Sequence, residues 1–336
     1  MFLTTFISLI QKKLEKDMFK IPILLITFNR PFHTQKTIEA LRVQRPPLVY
    51  VFQDGPREHR EEDVKMCGLV REVISSEINW DCELHTYFSE KNRGCRDAII
   101  YAITEVLKMH ESVIVVEDDI ITSPAFYSYM TKALEYYKDR KTVFSISGHS
   151  HSPEKFTVPE DYDYDVFVSP RLFNWGWGTW RDRWEQADWS MSYYDKLMKH
   201  PYECQAFNRG GDDMVPMLIE EKEGKSSAWD IQFAFAHFYN HAVSIVPCVS
   251  YTYNIGMDGS GTHCNNVAQN ENICNTLNMK DNPILIDTLY FDSRILNRLY
   301  NVFTRKRRPL WQKAINLIAR KFGIKPPFVI KKKVYA

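Results

Sequence analysis

No Asp or Glu follows Asp292 in this chain of 336 residues. Residues 305–336 hold eleven Lys or Arg, which leaves residues 1–304 with 32 basic against 42 acidic side chains, a charge of −10 beneath the overall +1. An acidic body excludes nucleic acid as the main partner, whereas a basic tail suits an anionic membrane surface. The seven cysteines are odd in number, scattered, and free of any C-x-x-C pair. That pattern argues against a zinc ribbon or a dithiol redox centre and fits a reducing compartment. Long apolar runs are missing as well: residues 1–10 are apolar but far too short to span a bilayer, and they lack the basic start and cleavage site of a secretion signal. No internal repeat or low-complexity tract is present, and 44% apolar with 25% charged residues excludes wholesale disorder. The expectation is a cytoplasmic protein attached peripherally to the inner face of the cell membrane.

What is present is an alternation of apolar runs and helical patterns. Residues 21–27, 48–52, 84–88 and 112–116 read as strands, with helices predicted over 33–41, 59–75 and 93–109. Strands that are apolar throughout and separated by helices imply an α/β fold with a mostly parallel central sheet covered on both faces. Such sheets bind ligands beyond the carboxyl ends of their strands. Polar residues cluster there: Thr27-Phe28-Asn29-Arg30, Asp54-Gly55, Asn92-Arg93-Gly94 and Glu117-Asp118-Asp119.

The acidic triplet is the strongest of these signals, because three adjacent carboxylates repel one another unless a cation or hydrogen-bond donors are near. Hard ions such as Mn²⁺ or Mg²⁺ take one or two carboxylates together with substrate phosphates. Beyond residue 148 the chain turns aromatic, with Trp175, Trp177 and Trp180 interleaved with glycine. A helix over 227–241 follows, then strands within 244–253. Residues 254–263 read as a flexible or ligand-hugging loop.

The run Pro22-Ile23-Leu24-Leu25-Ile26-Thr27-Phe28-Asn29-Arg30-Pro31, the Gln53-Asp54-Gly55 turn, Asn92-Arg93-Gly94 and Val115-Val116-Glu117-Asp118-Asp119 together resemble the GT-A, Rossmann-like nucleotide-sugar glycosyltransferases. The likeness is to the branch of N-acetylglucosaminyltransferase I and to bacterial glycosyltransferases of surface polysaccharides. It implies that Asp54 reads the nucleotide base, that Glu117 and Asp118 hold ribose and its neighbours, and that Asp119 binds Mn²⁺ or Mg²⁺. Thr27, Asn29, Arg30, Asn92 and Arg93 are the further nucleotide-sugar contacts the likeness implies. Trp175, Trp177 and Trp180, with Asp213 and Ser260, are expected to form a wall against the acceptor or donor sugar. The loop over 256–263 is expected to close over the donor, with Ser260 near phosphate and His263 reaching the metal or diphosphate. An aspartate in a Trp-Asp context is the catalytic base of that family, which points to Asp230, with Asp213 and Asp212 as alternatives. The implied reaction is inverting, metal-dependent transfer of a hexosyl or N-acetylhexosaminyl group from a nucleotide-sugar donor, a UDP-sugar first, to a glycan or lipid-linked oligosaccharide.

Two other readings stand beside it: a nucleotidyltransferase, against which the glycine-free turn after the first strand speaks, and a membrane-docked glycan-binding protein needing no metal. The domain reading is an N-terminal extension over 1–20 and a GT-A domain over 21–264, divided at 148/149 into nucleotide-binding and acceptor halves. A linker and helix over 265–304 and a basic membrane-associating tail over 305–336 complete it, the tail containing an amphipathic helix.

Overall fold

The computed structural model describes residues 20–259, 277–304 and 310–321. In chain order β1 is Ile23–Thr27, α1 Pro31–Gln44, β2 Leu48–Gln53, α2 Glu61–Glu77, β3 Glu83–Phe88, α3 Cys95–Met109, β4 Ser112–Glu117 and β5 Ile120–Thr122. Then come α4 Phe126–Tyr137, β6 Val143–Ser147, β7 Val166–Ser169, β8 Trp177–Trp180, α5 Arg181–Trp184, α6 Tyr194–Lys199, α7 Pro201–Phe207 and α8 Met214–Lys222. The last elements are α9 Trp229–Tyr239, β9 Val243–Pro247, β10 Thr252–Asn254, α10 Ser293–Phe303 and α11 Leu310–Lys321.

Eight strands form one sheet in the order β3-β2-β1-β4-β8-β6-β9-β7. β3, β2, β1 and β4 run parallel, as do β6 and β9, while β8 and β7 run antiparallel to their neighbours. Alternate side chains feed cores on opposite faces: Ile23, Leu25, Val49, Val51, Ile114 and Val116 on one, and Leu24, Ile26, Phe52, Val113 and Val115 on the other. That period of two beneath an unbroken apolar run is why these strands were readable as doubly buried. β3 differs, since it is the sheet's edge and its side chains are exposed.

The chain runs outward from β1 to β2 and β3, then returns to β4 on the other side of β1. The order therefore switches between β1 and β4, and the crevice of such sheets opens at the carboxyl ends of that pair. Register places Ile26 opposite Glu117. The residues after both strands thus meet.

The tryptophan segment departs from expectation: β8 lies inside the sheet between β4 and β6. The described part of the expected linker is also fastened to the body, with Ile286 fully buried and its carbonyl accepting from Tyr137 Oη at 2.9 Å. Among the described residues no helix is long and apolar enough to cross a membrane.

Two buried histidines make stability pH-dependent. Burial holds His149 down to about 3 and His237 down to about 4. The folded chain refuses protons that the unfolded chain binds from about pH 6.5 downward, so stability is full above that value and declines below it by about 1.4 kcal/mol per pH unit for each histidine. Urea denaturation is expected to give about 2 kcal/mol less stability per histidine at pH 5 than at pH 6.5. A flat profile across that interval contradicts the assignment of both as neutral.

Candidate active site

The β1–α1 turn brings Arg30 onto the acidic triplet. Pro31 fixes the first turn of α1, and Arg30 precedes it in non-helical backbone. Its Nη2 donates to Asp118 Oδ1 and, at 3.0 Å, to Asp119 Oδ2. Phe28 N lies 3.4 Å from Asp118 Oδ2, and Thr37 Oγ1 donates to the Asp118 carbonyl at 2.8 Å. Burial, followed by the charges of Asp119 and Asp118, pushes Glu117 up to about 8, with Arg30 opposing the rise. Burial also raises Asp118, again against Arg30. For Arg30 itself burial works to discharge the guanidinium, but the two aspartates outweigh it and its pKa is raised.

A second loop is hung from Asp54. Its carboxylate accepts from Gly55 N (2.9 Å), Arg93 N (2.9 Å), Gly94 N (3.1 Å) and Asn92 Nδ2 (3.0 Å), and Asn92 also donates to the Gly55 carbonyl at 2.7 Å. A side chain on Gly55 would start 2.5 Å from the Lys91 backbone, so only glycine lets the two loops touch. Burial raises the Asp54 pKa while these backbone donors oppose it. Arg93 leaves its guanidinium over the Tyr101 ring, 3.9 Å from the centroid, at the surface.

The far half of the chain supplies a cover and an acid. β10 pairs antiparallel with β5, Asn254 opposite Ile120, and carries the chain back over the triplet. Ile255 N donates to the Asp119 carbonyl at 2.9 Å. A Cβ on Gly256 would fall 2.1 Å from Asp119 Oδ2 and 2.9 Å from Arg30 Nη1, and Asp258 lies 3.2 Å from His33 Nε2. Asp230 sits in the first turn of α9, which packs beside α3, and accepts from Ile231 N at 2.9 Å. Its charge acts on Glu117 and on Cys95, at the start of α3. Burial raises the Asp230 pKa, and Arg171 works against that rise.

Several expectations fail here. Trp177 is fully enclosed, stacked on Trp229 at 5.1 Å and against Trp184 and Phe233. Trp180 and Trp175 are buried as well, the former under Arg183 and the latter against His149. None forms a sugar wall: Trp177 and Trp180 belong to β8, an interior strand, and Trp175, just before it, is buried against His149. Trp177→Ala is accordingly expected to cost about 3–5 kcal/mol in denaturant unfolding, and unchanged stability speaks against the core assignment. Asp213 is enclosed and doubly bonded to Arg171 (2.8 and 3.0 Å), which removes it from the wall and from the choice of base.

Thr27 is buried, with its hydroxyl directed at the Phe52 carbonyl at 3.3 Å, so it is no nucleotide contact. Asn29 donates to Asp63 at 2.8 Å and steadies the Asp63–Arg57 pair instead. Ser260 and His263 lie outside the described residues. Trp189, in contrast, borders a cavity of about 360 Å³ between α3 and α9 that Gln232 and Arg96 also line.

Sequence reasoning overlooked Cys95, Arg171 and the Arg57–Asp63 pair. Cys95 is exposed, yet the surrounding protein and then Glu117, Asp230, Asp119 and Asp118 hold its thiol well above the ordinary range. Its place directly after Asn92-Arg93-Gly94 was the available signal. Arg171 offered none, since its partners come from distant segments.

The residues present suit a divalent ion. The Arg30 guanidinium already stands as a cation between Asp118 and Asp119. Among the described residues no three His, Cys, Asp or Glu groups converge to cage an ion; Asp118 and Asp119 are the carboxylates that would hold one, and Mg²⁺ beside phosphates commonly takes one or two carboxylates.

The open α/β sheet carries an acidic rim at its switch point, and the family match makes the chain a nucleotide-sugar glycosyltransferase of GT-A type. The model of the GNT-I family matches residues 4–209, and the chain belongs to the GNT-I family. Among solved structures it is similar to a mannosyltransferase from Pyrobaculum calidifontis in complex with GDP-Man and Mn²⁺ (14% identity, TM-score 0.36, covering 65% of this chain and 73% of that one). It is also similar to a UDP-glucose pyrophosphorylase complexed with UDP-glucose (12%, 0.35, 69% and 92%). A third likeness is to 4-diphosphocytidyl-2C-methyl-D-erythritol synthase from Anaerococcus prevotii (11%, 0.32, 54% and 76%). No curated protein matches the chain.

Proposed function

We propose that this glycosyltransferase is inverting and depends on a divalent metal, Mn²⁺ or Mg²⁺. In this reading it moves a sugar from a nucleotide-diphosphate donor, a UDP-sugar first, to a hydroxyl of a glycan or lipid-linked acceptor in bacterial surface polysaccharide synthesis. The observation that carries the reading is the rim itself: Asp118 and Asp119 bound to Arg30 beside Glu117 at the sheet's switch point, with the charge of Asp230 acting on Glu117.

Asp119 would hold the ion, which as a Lewis acid neutralises charge on the departing diphosphate. Asp54 and the loop it suspends form the base end of the donor site, with Arg93 at its surface. Glu117 and Asp118 lie toward the ribose. Asp230 removes the proton from the acceptor hydroxyl. Its pKa, raised by burial against the opposing charge of Arg171, makes it a stronger base than a surface carboxylate. One base acting opposite the leaving group gives inversion.

Peripheral attachment to the membrane is part of the proposal. α11 exposes Ile315, Leu317 and Ile318 within the basic tail, and each Lys or Arg near an anionic surface contributes about 1 kcal/mol.

A thermal-shift panel of nucleotide sugars with and without Mn²⁺ tests the assignment. A donor at 100 times its dissociation constant stabilises the fold by about 2.7 kcal/mol. The expected result is stabilisation by one donor class that requires the metal. No response from any nucleotide sugar in Mn²⁺ or Mg²⁺ defeats the proposal.

A further inference from the structure

We propose that Arg30 is the resident counter-cation of the metal site, filling the position between Asp118 and Asp119 until a divalent ion exchanges for it at Asp119. The inference rests on the reading of Asp119 as the metal-holding carboxylate. One nitrogen, Nη2, contacts Asp118 Oδ1 and lies 3.0 Å from Asp119 Oδ2, so the guanidinium bridges the two acids rather than pairing with one. The Gly256 backbone packs against the same Oδ2 and against Arg30 Nη1, and the Asp119 side chain is only 12% exposed. A hydrated ion therefore meets Asp119 with Arg30 and Gly256 in its way. Two positive charges cannot occupy that space together without strong repulsion.

Arg30 is the group able to yield. Its side chain is 18% exposed, against 5% for Asp118, and it hangs from a residue just outside α1, in non-helical backbone. Exchange conserves the site's character: the ion would take the Asp119 carboxylate, and the released guanidinium would remain at the rim as a partner for a phosphate group. An arginine fork matches phosphate oxygens as well as it matches carboxylates.

This assigns Arg30 a coupling role. Without donor, the incoming ion leaves a displaced guanidinium with no anion, so metal alone binds poorly. With a nucleoside diphosphate present the guanidinium gains a partner, and ion and nucleotide support each other by the same factor in both directions.

The test measures Mn²⁺ binding directly, from the loss of the free-ion electron paramagnetic resonance signal. Wild type, Arg30→Gln and Arg30→Lys are titrated without nucleotide and with UDP or GDP. Arg30→Gln is expected to bind Mn²⁺ alone about tenfold tighter than wild type, with the coupling to nucleotide reduced by a similar factor. The metal-free variant should melt at a lower temperature, and Mn²⁺ should restore it.

Arg30→Lys, which keeps the charge but not the bridging fork, should fall between the two and serves if Arg30→Gln fails to fold. Equal or weaker Mn²⁺ binding by the variants without nucleotide, while all three proteins bind it with nucleotide, overturns the exchange and leaves Asp119 as a ligand. Absence of Mn²⁺ binding from every protein, nucleotide included, overturns both.

Discussion

Asp230→Asn is expected to bind donor and metal like the wild type and to transfer sugar about 10²–10⁴ times more slowly, the range that general-base catalysis supplies. The amide keeps the volume of the carboxylate and can still accept from Ile231 N, so α9 keeps its start. What is lost is the ability to take a proton. The pH profile sharpens the test. Burial raises the Asp230 pKa and Arg171 restrains it, so the carboxyl remains protonated to a higher pH than an exposed one. Turnover should rise with pH through that raised value, because only the ionised form acts as base, and Asp230→Asn should lose this limb of the profile. Wild-type turnover by Asp230→Asn, with donor binding intact, removes Asp230 from the reaction.

Asp119→Ala is expected to abolish the metal-dependent part of donor binding. A donor that stabilises the wild type by about 2.7 kcal/mol at 100 times its dissociation constant should, with Mn²⁺ present, do no better for the variant than without it. Transfer should fall by at least about 10³, since leaving-group charge then goes uncompensated. A second effect follows from the crowding of the rim. After burial, Asp119 is the largest influence holding Glu117 up to about 8, so its removal lets Glu117 ionise at lower pH. An Asp119→Ala protein that retains the full Mn²⁺-linked thermal shift places the ion elsewhere and takes the proposed mechanism with it.

Much of the scaffold was legible because central parallel strands carry apolar residues on both faces, and β1, β2 and β4 do so without interruption. The rim followed from what comes next in the sequence at each carboxyl end: Asn29-Arg30 after β1, Asp54 after β2, Asp118-Asp119 after β4. β8 was misread because its alternation of Trp and Gly suggests a ligand surface, whereas Trp177 in fact fills the core beneath α9. Local sequence could not reveal that Asp213 belongs to Arg171, nor that Phe303 of α10 stacks on that guanidinium at 3.6 Å, because those partners are joined only by tertiary packing. The same holds for Thr27, whose hydroxyl is committed to a neighbouring strand.

The ribbon of β5 and β10 ties Thr122 to Thr252 across a long stretch of chain. Contacts so distant in sequence form late, since the loop between them must close first. During synthesis the nucleotide half can collapse around β1, β2 and β4 while Glu117, Asp118 and Asp119 still lack their roof, and only Arg30, already made, is at hand to quiet them. A ribosome-bound or truncated chain ending before residue 252 would thus expose an anionic notch that the finished protein keeps covered.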